Sequence, residues 1–215
     1  MERYGTDKPD TRFAMELVDL TETVRDCGFG VFASAVQAGG AVGAITVKEG
    51  AARLTRKEID KLTEMVKGIG AKGLAWVRWT GDGVSSSFGK FLAEGEMETL
   101  LGTVDAGEGD VVLLIADTVK KRVLTTLGAL RLTVAEKMEL PREGYRPLWV
   151  TAMPFFEWDE EAGQYMAMHH PFTAPMDECI PDLERAPDKV FAKAFDLVLN
   201  GIELASGSIR ITDPE

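Results

Sequence analysis

The stretch LTRKEIDKLTEMVKGIG, residues 54–70, constrains the fold more than any other part of the chain. Thr55 and Glu58 have capping-box spacing, in which hydroxyl and carboxylate each satisfy a free backbone N–H at a helix start. Ile59, Leu62, Met65, Val66 and Ile69 then recur at helical spacing, so one face is apolar and must be covered. Gly68 or Gly70 ends the helix. A second, longer helix is predicted from a cap at Asp117 or Thr118 to about Met138. It carries Val119, Val123, Leu127, Leu130 and Val134 on one side. Between and before these helices, AVGAITVKEG, GLAWVRW and GDVVLLIADT read as strands. Helices with an apolar stripe beside apolar strands specify an α+β module with its own core.

The rest of the chain has a different character. Before the module, a polar opening with a Lys8-Pro9-Asp10 turn signal leads into FAMELVDL, read as a strand, and LTETVRDCG, read as a short helix capped by Gly28. GVFASAVQ reads as a strand, and FGKFLAEGEMETLLGTVDA as a broken helix. After LPREGYRP, the segments LWVTAMPFFEW and QYMAMHHPF flank an acidic turn, DEEAG, as a β-hairpin. A Pro-rich connection, residues 171–187, precedes a final β pair. An α+β module over residues 28–138, flanked by 1–27 and 139–215, is an insertion pattern.

Net charge is −11, which argues against a surface that grips nucleic acid through its own field. No apolar run approaches the roughly 18 residues that span a bilayer, so no membrane partner is expected. Cys27 and Cys179 belong to no metal-binding spacing and read as inert thiols of a reducing, cytoplasmic setting.

Three motif matches fail on context. GIGAKG, residues 68–73, fits G-x-G-x-x-G, but a helix precedes it and a strand follows, the reverse of a dinucleotide site. GVSSSFGK is one residue too long for a phosphate-binding loop, and Phe91 stands where a hydroxyl would be needed. DEEAG is a solvated hairpin tip.

Two features stay open on the residues alone. In MHHPF, strand periodicity puts His169 and His170 on opposite faces. They are either structural histidines satisfying backbone groups or one of them donates to an anionic substrate. In FDLVLNGIELASGSIRI, residues 195–211, charged groups sit in strands that look buried, where they are costly unless paired or engaged by a ligand. Glu203 and Arg210 form an internal ion pair, or the segment binds an anionic ligand and a metal, guanidinium suiting carboxylate or phosphate and carboxylates suiting magnesium. Asp196 and Glu203 have opposite strand parity, and a bulge at Asn200-Gly201 is one way to bring them together.

RYGTDKPDTRF, LTRKEIDKLTEMVKGIGAKGLAW, LGALRL, PLWVTAMPFFEWDEEAGQYMAMHHPFTAP and FDLVLNGIELASGSIRI, in this order, resemble parts of a bacterial-type, class II aspartyl-tRNA synthetase. The resemblance covers essentially the whole chain. Its middle, residues 28–138, resembles the GAD insertion domain, an antiparallel sheet with helices, and the flanks resemble antiparallel strands of the catalytic domain.

The resemblance implies an aspartate–tRNA ligase with aspartate, ATP, Mg2+ and tRNA as substrates, cofactor and partner, a homodimer when intact. It further implies that His169, with His170 adjacent, and Arg210 bind the substrate aspartate. Glu203 is implied to engage ATP and magnesium, with Asp196 as a second acidic position at the metal. Family members commonly read GGGS where this chain has Ala205-Ser206-Gly207-Ser208. An anticodon-binding barrel, motif 2 and motif 3 have no counterpart in these 215 residues. The chain is therefore expected to be a fragment, inactive alone; the rival expectation is a non-catalytic GAD module for tRNA or protein docking.

Overall fold

The computed structural model describes residues 1–212. Contacts divide the chain into two compact units, Met1–Asp7 with Phe13–Arg142, and Lys8–Arg12 with the chain from Glu143 on.

In the first unit, β1 (Val18–Asp19), β2 (Ala41–Val47), β3 (Ala75–Thr80), β4 (Gly83–Ser86) and β5 (Val111–Asp117) form an antiparallel sheet in the order β1-β2-β5-β3-β4. Helices α1 (Gly30–Gln37), α2 (Arg56–Gly68), α3 (Glu96–Thr103) and α4 (Lys120–Lys137) cover it. Both faces of the central strands are buried. Ile45, Val47, Leu113 and Ile115 join a core with Ile59, Leu62, Leu127 and Val134, while Val42, Ala44, Val112 and Leu114 join another with Phe32, Val36, Leu100 and Leu101. Coverage on both sides explains why β2 and β5 read as continuous apolar runs instead of alternating.

The expected antiparallel α+β class holds, and α2 and α4 lie where the periodicity puts them. Thr55 caps α2, its hydroxyl accepting from the Glu58 amide at 3.4 Å. The reciprocal half of the capping box is absent, because the Glu58 carboxylate turns to Lys61 at 2.6 Å and Lys137 at 2.7 Å. At α4 the Asp117 carboxylate accepts from the Val119 amide at 3.0 Å and leaves Val119 outside the helix.

Two predicted elements are different. GVFASAVQ is helix α1, not a strand; Phe32, Ala35 and Val36 are its buried residues, a helical spacing that the short apolar run hid. LTETVRDCG is a run of turns, with Leu20 and Val24 buried in the core. A feature with no sequence signal is Arg131, 1% exposed on α4. It donates to the carbonyls of Met15 at 2.9 Å and Phe13 at 3.0 Å, and its guanidinium lies 4.0 Å from the Phe13 ring centre. Met15 itself is held at φ 91°, a conformation costly for a side-chain-bearing residue.

The second unit contains β6 (Pro147–Val150), β7 (Met153–Pro154), β8 (Phe156–Asp159), β9 (Gln164–Ala167), β10 (Phe191–Ala192), β11 (Ala194–Leu199) and β12 (Ile202–Ser208). β8 and β9 form the predicted hairpin around DEEAG. LWVTAMPFFEW does not act as one strand of it. β6 pairs with β11, and β7 with β10. The final pair, β11 and β12, forms an antiparallel hairpin with β6 on its other side.

Candidate functional site

The β11–β12 hairpin turns through Asn200 (φ 54°) and Gly201 (φ 88°), two consecutive left-handed residues. That is the geometry Asn-Gly favours, because its twist matches that of the flanking strands. The turn is clamped on both sides. Asn200 accepts from the Arg146 amide at 3.1 Å and donates to the Gly144 carbonyl at 3.0 Å. On the other side, a Cβ at Gly201 would stand 3.6 Å from Asp10 Cβ.

Asn200-Gly201 is thus the turn, not a bulge, and it settles which face each acid occupies. Glu203 pairs with Val198, and Val198 and Asp196 share a strand face. Asp196 and Glu203 therefore stand on the same side of the sheet. The opposite parity read along the sequence does not survive the hairpin reversal. The bulge lies further on, where the register shifts between Leu197 and Val198 and leaves Leu204 without a partner across the ladder. Beyond it Ser206 faces Asp196, and Ser208 faces Ala194. Gly207 is the small residue that matters in Ala205-Ser206-Gly207-Ser208, because a Cβ there would come within 2.7 Å of the Phe195 ring.

Glu203 is paired, but with Lys8 and not with Arg210: the Lys8 ammonium lies 3.2 Å from Glu203 Oε2. The internal Glu203–Arg210 ion pair considered from sequence is replaced by this one. Lys8 sits on a short loop fixed by its neighbours. Pro9 and Asp10 are buried, and Asp10 takes a two-pronged interaction from Arg12, at 2.9 Å and 2.7 Å.

Arg210 lies beyond the end of β12, exposed, where the chain forms a bridge with Thr173. Thr173 is buried, and its hydroxyl reaches the Ser208 hydroxyl at 3.3 Å. The Ala174 amide donates to the Ile209 carbonyl and the Ile211 amide to the Phe172 carbonyl, so this register is fixed on both sides of Arg210.

The histidines stand just past β9 rather than within it, so strand parity does not govern them. Each engages the backbone. His169 Nε2 donates to the Pro154 carbonyl at 3.0 Å, and His170 Nδ1 accepts from the Phe172 amide at 3.2 Å. The second bond places the proton of a neutral His170 on Nε2, at an exposed ring edge. The Thr173 amide donates to the His170 carbonyl, so a single tight turn joins His170 to the bridge partner of Arg210.

The site thus has two clusters along β12. Glu203 and Lys8 are at the turn end, with Asp196 further along the same face, level with Ser206; Arg210, Thr173 and His170 are at the far end. Sequence reasoning used Lys8-Pro9-Asp10 only as a turn signal and passed over Thr173. A cation beside a proline and an acid was the signal available for Lys8. Among the described residues, no group of three or more His, Cys, Asp or Glu could hold a metal ion on its own. Two carboxylates on one face still suit magnesium, which commonly takes one or two protein carboxylates and completes its shell with phosphate and water. Both cysteines are buried, and no helix among the described residues is long and apolar enough to cross a membrane.

Residues 32–127 match the GAD domain family. The chain is 53% identical over 97% of its length to an Aspartate--tRNA(Asp/Asn) ligase of Anoxybacillus flavithermus, and 52% identical over 98% to one of Bacillus cereus. A Bacillus thuringiensis ligase of the same name is 51% identical over 98%. The chain spans 35–36% of the length of these relatives.

Proposed function

We propose, from the premise that this chain carries a GAD domain and corresponds to a segment of an aspartyl-tRNA synthetase, that the intact protein activates aspartate with ATP and transfers it to tRNA. In this reading residues 28–138 are an insertion, and 1–27 and 139–215 are strands and loops of the catalytic domain. The observation that carries it is the shared face of Asp196 on β11 and Glu203 on β12, with the chain running on from β12 to Arg210.

Each side chain then has a role its chemistry suits. Glu203 and Asp196 bind the nucleotide and its magnesium, which supplies charge neutralisation at the phosphates when bound. Arg210 offers a planar fork to the aspartate carboxylate. His170 favours an anionic side chain through its exposed Nε2–H, and His169, whose Nε2–H is engaged by Pro154, does so only when its ring is protonated at Nδ1 as well. One aspartate carboxylate oxygen attacks the α-phosphorus, and pyrophosphate leaves as the α–β anhydride bond breaks. Proteins accelerate such displacements chiefly by positioning and by fixed charge.

The intact enzyme is a cytoplasmic homodimer in this reading, and the 215 residues alone do not turn over. Support for the second point is that Glu203 and Arg210 lie exposed, on a chain spanning about a third of its relatives' length. Aspartate-dependent ATP–pyrophosphate exchange tests both points. Exchange by the full-length protein and none by residues 1–215 is expected. No exchange by the full-length protein refutes the assignment, and exchange by the segment refutes its inactivity.

A further inference from the structure

The resemblance assigns no role to the loop Lys8–Arg12, yet among the described residues this loop delivers the charged partner of Glu203. Three observations make the contact a built one. First, the loop is anchored beside Lys8 and not by it: Pro9 and Asp10 are buried, and the Asp10 carboxylate holds Arg12. Second, the loop lies against the hairpin turn, with the Lys8 carbonyl 3.8 Å and Asp10 Cβ 3.6 Å from the position a Gly201 Cβ would take. Third, the Lys8 side chain is 44% exposed and that of Glu203 35%, so this pair adds little to stability. An anchor of that quality under a contact of so little energetic weight points to a purpose other than folding.

We infer that Lys8 is a positioning and nucleotide-contacting residue of the site: a resident cation that neutralises Glu203 when no divalent ion is bound and meets a phosphate oxygen when nucleotide is bound. The inference rests on the reading of Glu203 as a nucleotide and metal residue. One carboxylate oxygen cannot give its full interaction to an ammonium and to a divalent ion at once. A flexible four-carbon stem, with three donors at its end, lets the ammonium shift to a neighbouring anion without moving the anchored loop.

This predicts effects of opposite sign on two ligands, which a merely structural lysine would not produce. In the full-length protein, Lys8→Met removes a competing cation, and Mn2+ added alone binds about fivefold tighter. The same substitution removes a charged hydrogen bond to phosphate, and MgATP binds about tenfold more weakly. Lys8→Arg keeps the charge and stays close to wild type on both. Mn2+ binding is read by electron paramagnetic resonance and MgATP binding by calorimetry, neither requiring turnover; a thermal melt checks that the variants are folded.

Shifts of both ligands in the same direction, or no shift in either, overturn the inference. Glu203→Gln separates this from the wider reading. If it abolishes Mn2+ binding while Lys8→Met changes nothing, only the role of Lys8 falls. If Glu203→Gln leaves Mn2+ and MgATP binding unchanged, the assignment of Glu203 falls with it.

Discussion

Glu203 is directly opposite Val198 on the β11–β12 ladder, two residues from Asp196, so the two acids share a face although seven positions separate them. The relationship depends on the two left-handed residues of the turn. Replacing Gly201 with Val forces a β-branched side chain to φ 88° and should destabilise the hairpin by about 1–3 kcal/mol. Urea denaturation followed by fluorescence measures it, with Trp149, on the strand paired with β11, as reporter. An unchanged midpoint would mean that the turn is not under this constraint.

Asp10 is the anchor of the loop beneath Glu203. Its side chain is 5% exposed and faces Arg12, which is 20% exposed. Asp10→Ala removes the buried acceptor of both Arg12 prongs and of the Arg12 amide, and should lower the melting temperature. Lys8→Met, at the surface end of the same loop, should change stability by less than about 1 kcal/mol. Equal losses from the two substitutions would contradict the division between anchor and contact.

Arg131 ties the segment Phe13–Met15 to α4. Arg131→Met keeps much of the volume but removes the donors that satisfy two carbonyls, and should cost about 3 kcal/mol. Hydrogen exchange should show the segment around Met15 opening first, since its strained φ of 91° then loses its restraint. Uniform exchange across the first unit would count against that.

Glu58 gives a pH signature. Hydrogen bonds from Lys137, then Lys61, hold its carboxyl at about 2, below the ordinary value of 4.5. A lowered folded-state value means that the stabilisation is present above pH 4.5 and is lost as pH falls toward 2. The melting-temperature difference between wild type and Glu58→Gln should therefore be constant from pH 7 to 5 and close between pH 4.5 and 2. A difference that persists at pH 2 would place the stabilisation elsewhere.

Much of this structure is legible in the sequence, for identifiable reasons. The stripes of α2 and α4 are long enough to fix their period, and β2 and β5 are apolar enough to require cover on both faces. Helix α1 differs from the expected strand because its eight residues, small or apolar apart from Gln37, fit either period. What settles it is the burial of Phe32, Ala35 and Val36, a tertiary fact. At the site, the motif residues were found, but their geometry was not. Parity inverts across a two-residue turn, so the shared face of Asp196 and Glu203 needed the turn to be placed at Asn200-Gly201. The histidines were assigned strand parity that they do not have. Lys8 was missed because its partner lies 195 positions away in sequence.

The central claim is that the strand carrying Glu203 and leading to Arg210 binds the substrates of aspartate activation. Aspartate-dependent ATP–pyrophosphate exchange by the full-length protein, compared with its Arg210→Ala variant, tests it most directly. Loss of the guanidinium should lower kcat/KM for aspartate by about a hundredfold or more, equivalent to at least one charged, bidentate interaction, with the melting temperature unchanged. Exchange by Arg210→Ala at the wild-type rate and with the wild-type KM for aspartate would contradict the claim.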